Sequence, residues 1–205
     1  MTHRRSAVFM LAFFSAFAEA ACTTPTTYVD RVTDRGPSTL GLDYRDFETA
    51  AGDSIDKMLK SRAVVKPDGG RYVLAISQIT NDTMQRIDTD QLVKKIRIAL
   101  LESGKVVVTT AVGINGPEDR MSMQSRELRN SAEFNQSTVA AQGQMIAPDL
   151  SLSGKIIQRN HRLDSGDQQV EYYIQLTLTD IRSGLAFWEG ETPIIKRGSN
   201  RSVAW

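Results

Sequence analysis

The sequence predicts an α/β (α+β) domain, a small mixed β-sheet of about five strands with helices packed on it. Residues 71–79, Arg-Tyr-Val-Leu-Ala-Ile-Ser-Gln-Ile, are a β-branched and aromatic run without polar alternation, which reads as a central strand covered on both faces. From Thr89 the apolar period becomes that of a helix, and a second run, residues 105–110 (Lys-Val-Val-Val-Thr-Thr), follows at once. Strand, helix and strand with short joints make a βαβ-like unit whose helix packs on the sheet. Strand patterns between residues 150 and 189, separated by tight turns, add an antiparallel meander of three strands.

The N-terminus speaks of location. His3-Arg4-Arg5 is a positive start, and the twelve residues from Ala7 to Ala18 are an apolar run. A helix needs about 20 such residues to span a bilayer, so this run suits a signal-peptide core, residues 1–21. Ala18-Glu19-Ala20 fits cleavage by ordinary signal peptidase, and Ala20-Ala21-Cys22 fits the small residues before a lipidated cysteine. Glu19 stands where the lipobox prefers an apolar residue. Cys22 is the only cysteine and sits in a polar segment with no core to join, so a lipid anchor gives it a purpose. Residues 22–41, rich in Thr, Gly and Pro, read as a flexible linker. The nineteen residues from Thr23 to Gly41 reach at most about 65 Å extended and roughly 25 Å as a coil.

Residues 42–197 read as a single globular domain and 198–205 as a C-terminal tail. Tyr44, Phe47, Ala51, Ile55, Met58 and Leu59 recur at helical spacing from Leu42 onward. Pro67-Asp68-Gly69-Gly70 is a turn before the central strand. After that strand, Thr80-Asn81-Asp82-Thr83 are turn formers whose side chains bond their own backbone. Leu92, Val93, Ile96, Ala99 and Leu100 form the apolar face of the helix at 89–103, with Lys94, Lys95 and Arg97 mainly off it. Asp88 with Gln91 is a capping-box variant, and Ser103-Gly104 supplies the stop. Gly113 to Pro117 breaks the chain. Polar helices are expected at 119–134 and 137–145. Residues 150–156 alternate as a half-buried strand. In the next strand Val170, Tyr172, Ile174, Leu176 and Leu178 point one way and Glu171, Tyr173, Gln175, Thr177 and Thr179 the other. Asp180 to Gly184 turns the chain into a last strand from Leu185. Ile96 and Leu176 are expected in facing layers, helix on sheet.

Composition narrows the function. Charged residues make up 24% and hydrophobic residues 40%, ordinary for a globular protein. Residues 1–21 hold Arg4, Arg5 and Glu19, so their removal takes Lys+Arg from 25 to 23 and Asp+Glu from 24 to 23. A neutral balance argues against a nucleic-acid binder. His161 is the only histidine beyond the leader, in the charged stretch Arg159-Asn160-His161-Arg162, so neither a histidine metal cluster nor a conventional triad is at hand. The glycines fit no phosphate-loop spacing. A hydrolase would need Ser151, Ser153, Glu171 and His161 to converge. Asn81-Asp82-Thr83 and Asn135-Gln136-Ser137 match the glycosylation sequon, a three-residue pattern common by chance.

Several short signatures occur in a fixed order: the strand at 72–79, the Asn81-Asp82-Thr83 turn, the helix at 89–103 ending in Gly104-Lys105, the strand at 150–154, and Leu176-Thr177-Leu178-Thr179-Asp180 followed by Gly184 and Trp188. With the N-terminal cysteine they resemble the LpoB-type outer-membrane lipoproteins, activators of class A penicillin-binding proteins, over about residues 42–197. The resemblance implies a fold like the N-terminal domain of TolB. It implies binding to the docking domain of a bifunctional peptidoglycan synthase and stimulation of glycan polymerisation and crosslinking, with no catalysis or cofactor of the activator's own. It also implies a place on the periplasmic side of the outer membrane, held by acylated Cys22, with Thr23 favouring outer-membrane sorting; the alternative is a soluble periplasmic form. The best-known members carry a long Pro-rich linker, and this linker is short. A scaffold of another envelope assembly, secretion or flagellar, is the alternative function. Neither nucleic acid nor a small-molecule substrate is expected. Candidate partner contacts are Asn81, Asp82 and Thr83, Arg86 beyond them, and Arg159 and Tyr173 on the polar face of the meander, since exposed Tyr and Arg anchor many interfaces.

Overall fold

In the computed structural model, which describes residues 26–34, 36, 38–112 and 119–202, the chain divides into units 1–35 and 36–205. The described part of the first unit is largely exposed and turns at 31–33, where the Val32 N–H donates to Asp30 Oδ1 at 2.9 Å. The expected signal peptide, Cys22 and the 113–117 break lie outside the described residues.

The second unit begins with a clamp. Leu40 and Gly41, at the end of the stretch read as linker, are buried. The Gln85 side chain holds Leu42 as a neighbouring strand would, accepting its N–H at 2.8 Å and donating to its carbonyl at 3.1 Å. Lys196 donates to the Gly41 carbonyl at 2.7 Å, and Tyr172 to that of Leu40 at 3.2 Å. The domain therefore starts by Leu40, because large apolar side chains join a core wherever backbone partners let them.

Helix α1 (Tyr44–Lys60) follows, with Asp43 and Asp46 closing a capping box. Its inner face is Phe47, Ala50, Ala51, Ile55 and Met58. Strand β1 (Tyr72–Asp82) leads to α2 (Thr89–Glu102), where the Asp88 carboxylate accepts the Asp90 N–H. Strand β2 (Val106–Val108) then pairs parallel with β1 and completes the expected βαβ unit. An excursion carrying α3 (Arg120–Glu127) and a 3-10 turn (Leu128–Asn130) returns at β3 (Leu150–Arg162). Strands β4 (Asp167–Asp180) and β5 (Ala186–Ser199) finish the meander. The sheet order is β2-β1-β3-β4-β5, parallel where β1 meets β2 and β3, antiparallel beyond.

One sheet face packs against α1 and α2. Leu74, Ile76 and Ile79 of β1, Leu150, Leu152 and Ile156 of β3, and all five expected inward residues of β4 lie there with Ile96 and Leu100 of α2. Gly154 is required where β3 passes β4. A Cβ there would stand 2.6 Å from the Gln175 carbonyl oxygen and 2.7 Å from Leu176 Cδ2. At the edge strand, Ser54 of α1 and Thr192 of β5 satisfy each other in the buried layer at 2.9 Å.

Five expectations are corrected. Strand β1 is internal but buried on one face only, since Val73 and Ala75 on its other side are half-buried. The strand runs on through Asp82, so the turn begins at Thr83. Arg97 is buried, its Nε without an acceptor, and desolvation lowers its pKa. Residues 137–145 form turns, not a helix. Asn135 Oδ1 caps them by accepting from Ser137 N and Oγ at 3.1 and 2.9 Å, and Gly143 takes φ +79°. The helix expected at 119–134 also shortens to α3 and its 3-10 turn, for nothing in it is buried.

Candidate functional site

Alternation along β4 puts Glu171, Tyr173, Gln175, Thr177 and Thr179 on the face away from α1 and α2, and pairing register lines up their neighbours. One row across the sheet is Asp82, Ile157, Tyr173 and Pro193. Another is Thr80, Lys155, Gln175 and Glu191; beyond Tyr173 come Arg159, Glu171 and Ile195, then His161, Gln169 and Arg197. No described helix lies on these rows. A shallow groove of about 400 Å³ runs between Gln175 and Thr177 on β4 and Glu189 and Glu191 on β5.

Glu171 is the hub. Its carboxylate accepts from the Tyr173 hydroxyl and the Gln169 amide, both at 2.6 Å, with His161 Nε2 at 3.6 Å. The Tyr173 hydroxyl and the Gln169 amide hold its carboxyl below the usual carboxylate range. The same hydrogen bond pushes the Tyr173 phenol up. The Arg159 guanidinium stands 5.8 Å from the centre of the Tyr173 ring. Arg197 Nε donates to Gln169 Oε1 at 2.6 Å, and Lys155 bridges to Asp82 at 2.6 Å. Each long side chain is thus oriented before any partner arrives, which reduces the ordering cost of contact.

The structure brings together three of the six expected contact residues. Arg159, Tyr173 and Asp82 share the outward face. Asn81 has the opposite parity, and its side chain is spent on the turn, accepting from Thr83 N and Oγ1 at 3.2 and 2.7 Å and donating to the Gln85 carbonyl at 2.8 Å. Thr83 belongs to that same turn, while Arg86 is exposed just beyond it. Glu171, Ile157, Gln169, Ile195 and Arg197 share this face but were not among the expected contacts. Parity along β4 pointed to Glu171 and Gln169, and the residues of β3 and β5 needed the register.

The hydrolase grouping does not assemble. Glu171 and His161 meet, but Ser153 is eight residues down β3 from His161, about 26 Å at the strand's rise, and Ser151 is further still. Among the described residues there is no group of three or more metal-ligating side chains, and no helix long and apolar enough to cross a membrane.

Comparison with known proteins completes the picture. The C-terminal domain of LpoB from Escherichia coli is 15% identical, with a TM-score of 0.45, covering 73% of this chain and 98% of that one. The corresponding domain from Salmonella enterica is 14% identical, with a TM-score of 0.44 and the same two coverages. The solution structure of E. coli LpoB is 16% identical, with a TM-score of 0.40, over 97% of this chain and 94% of that one. No curated protein sequence matches. The family model described as peptidoglycan-synthase activator LpoB matches residues 46–194, from the first turn of α1 to the middle of β5. On that match, which covers most of its length, the chain belongs to the LpoB family of peptidoglycan-synthase activators.

Proposed function

We propose that this protein is a non-catalytic periplasmic lipoprotein that binds the docking domain of a class A penicillin-binding protein and activates it. Family membership carries the reading. The preoriented outward face around Tyr173, Arg159 and Glu171 supports it, because aromatic and arginine side chains held in place are the usual anchors of an interface. Acylated Cys22 holds the chain to the outer membrane, and the linker sets its reach.

Activation by contact needs no chemistry from the activator. It needs tighter binding to the active conformation of the synthase than to the idle one, and about 1.4 kcal/mol of difference shifts that equilibrium tenfold. Reconstitution tests the proposal. The chain lacking residues 1–22, added to a cognate class A synthase, raises the rate of glycan polymerisation and turns over no substrate alone. Saturable binding with no rate change leaves the scaffold reading, and absence of binding removes this partner.

A further inference from the structure

The outward face sorts its charges by strand. In the rows from Ser153 to His161, β3 presents Lys155, Arg159 and His161 and no carboxylate. In the same rows β5 presents Glu189 and Glu191, with Arg197 at the far end. Between them the only charge on β4 is Glu171. The Gln175 amide orients the Glu191 carboxylate at 2.8 Å but does not neutralise it. Lys155 bridges to Asp82, yet its side chain is 46% exposed and its ammonium has further N–H groups to give. In the middle row Ile157, Tyr173 and Pro193 make an apolar strip.

A second copy brings this same face, so both sides of that contact are known and only the symmetry axis has to be chosen. The sheets would pack about 10 Å apart, a gap that lysine and glutamate side chains bridge together. An axis along β4 lays β3 of one copy over β5 of the other, row on row. Lys155 then meets the other copy's Glu191, twice by symmetry, while Ile157 meets Pro193 and Tyr173 meets Tyr173. The two Glu171 carboxylates meet in a row that also holds both Arg159 guanidinium groups. An axis across the strands instead lays β3 on β3, with Lys155 against Arg159, like on like. The first arrangement has one like pair, His161 with Arg197, at the rim, where sheets crossing at about 30° splay apart. Asp167 stands in the row beyond it.

The tether favours the same axis. Symmetry along the strands keeps both chain entries, at Leu40 against Tyr172 and Gly198, at one end of the pair, as two chains anchored in one membrane require. The thirteen paired positions of β3 and β4, across three strands, span roughly 600 Å² per copy, short of the about 800 Å² per partner of a standard interface. Such a contact is weak in solution, and holding both copies on one surface raises their effective concentration.

We propose that the outward face pairs two copies of this chain about an axis along β4, and that the pair hides Tyr173, Arg159 and Glu171 from the synthase. The pairing stands on the face alone; the competition rests on the activator reading above. Surface density then sets how much activator is free to bind.

Sedimentation of the chain lacking residues 1–22 tests the pair. Wild type forms a reversible dimer. Lys155→Glu and Glu191→Lys each weaken it by about tenfold or more. An equimolar mixture of the two variants restores it, because each reversed charge then meets its opposite in the other copy. A wild type that stays monomeric up to about 1 mM, or a mixture that associates no better than its components, overturns the pair. Should either variant melt early, Gln175→Cys decides, for it lies on the axis in a chain that has lost Cys22. An intermolecular disulfide on mild oxidation supports the pair, and none overturns it. Purified synthase in excess dissociates the wild-type dimer. Synthase that binds and leaves the dimer intact overturns the competition, whereas a dimer with no synthase binding removes the activator reading and leaves the pair.

Discussion

Tyr172 shows how much one side chain commits the fold. It is fully buried on β4, and burial, reinforced by the nearby Asp46 carboxylate, pushes its phenol up to about 12 from an ordinary 10.0. A raised folded-state pKa stabilises the protein fully below the unfolded value, and that stability is lost as pH rises through the folded one. Wild type is therefore expected to lose stability to denaturant between pH 10 and 12, and Tyr172→Phe to show a flatter alkaline limb. At neutral pH the same change costs about 1 kcal/mol, the bond to the Leu40 carbonyl. Equal alkaline slopes for the two proteins would contradict the assignment. At the acid end, the Val73 N–H and the Lys66 ammonium hold the Asp149 carboxyl below its ordinary value. Its contribution, present above the unfolded value, fades as pH falls through the lowered one.

Among the elements, the helices and the sheet depend on a shared buried layer. Ile96 of α2 and Leu176 of β4 are both within it, at 0% and 1% exposed. Truncating either to Ala should cost about 2–5 kcal/mol in chemical denaturation, a large share of the roughly 5–15 kcal/mol of a typical domain. Losses under about 0.5 kcal/mol at both sites would mean that the two layers do not pack as described. Strand β5 shows a different economy. Pro193 in its middle has no N–H to give a further strand, so the exposed edge resists pairing with another chain. The segment at 137–145 marks where local pattern runs out. Its polar, alanine-rich composition permits a helix, but with no buried face to reward one, capped turns prevail.

For the molecule as a whole, the anchor and the domain make separable predictions. Cys22→Ala should move the protein from membranes to the soluble periplasm without changing the melting temperature of the domain, as membrane fractionation and calorimetry would measure. A mature protein that starts at unmodified Ala21 in mass spectrometry would refute acylation.

The sequence by itself determined the class of fold, the βαβ unit, the meander and the inward set on β4, because strand and helix periods are written in neighbouring residues and burial rewards them directly. It also pointed to the cap that Asn81 makes on Thr83, since short polar side chains bond their own backbone wherever they stand, but not to the strand running on through Asp82. Tertiary structure alone decided that Asp82, Ile157, Tyr173 and Pro193 form one row, for register is set between strands far apart in the chain, and a one-residue slip would send each side chain to the other face. It decided that Leu40 belongs to the core, a consequence of partners at Gln85, Tyr172 and Lys196 that no local pattern announces. It decided, too, that residues 119–149 stay outside the core, because burial is granted by neighbours and not by composition.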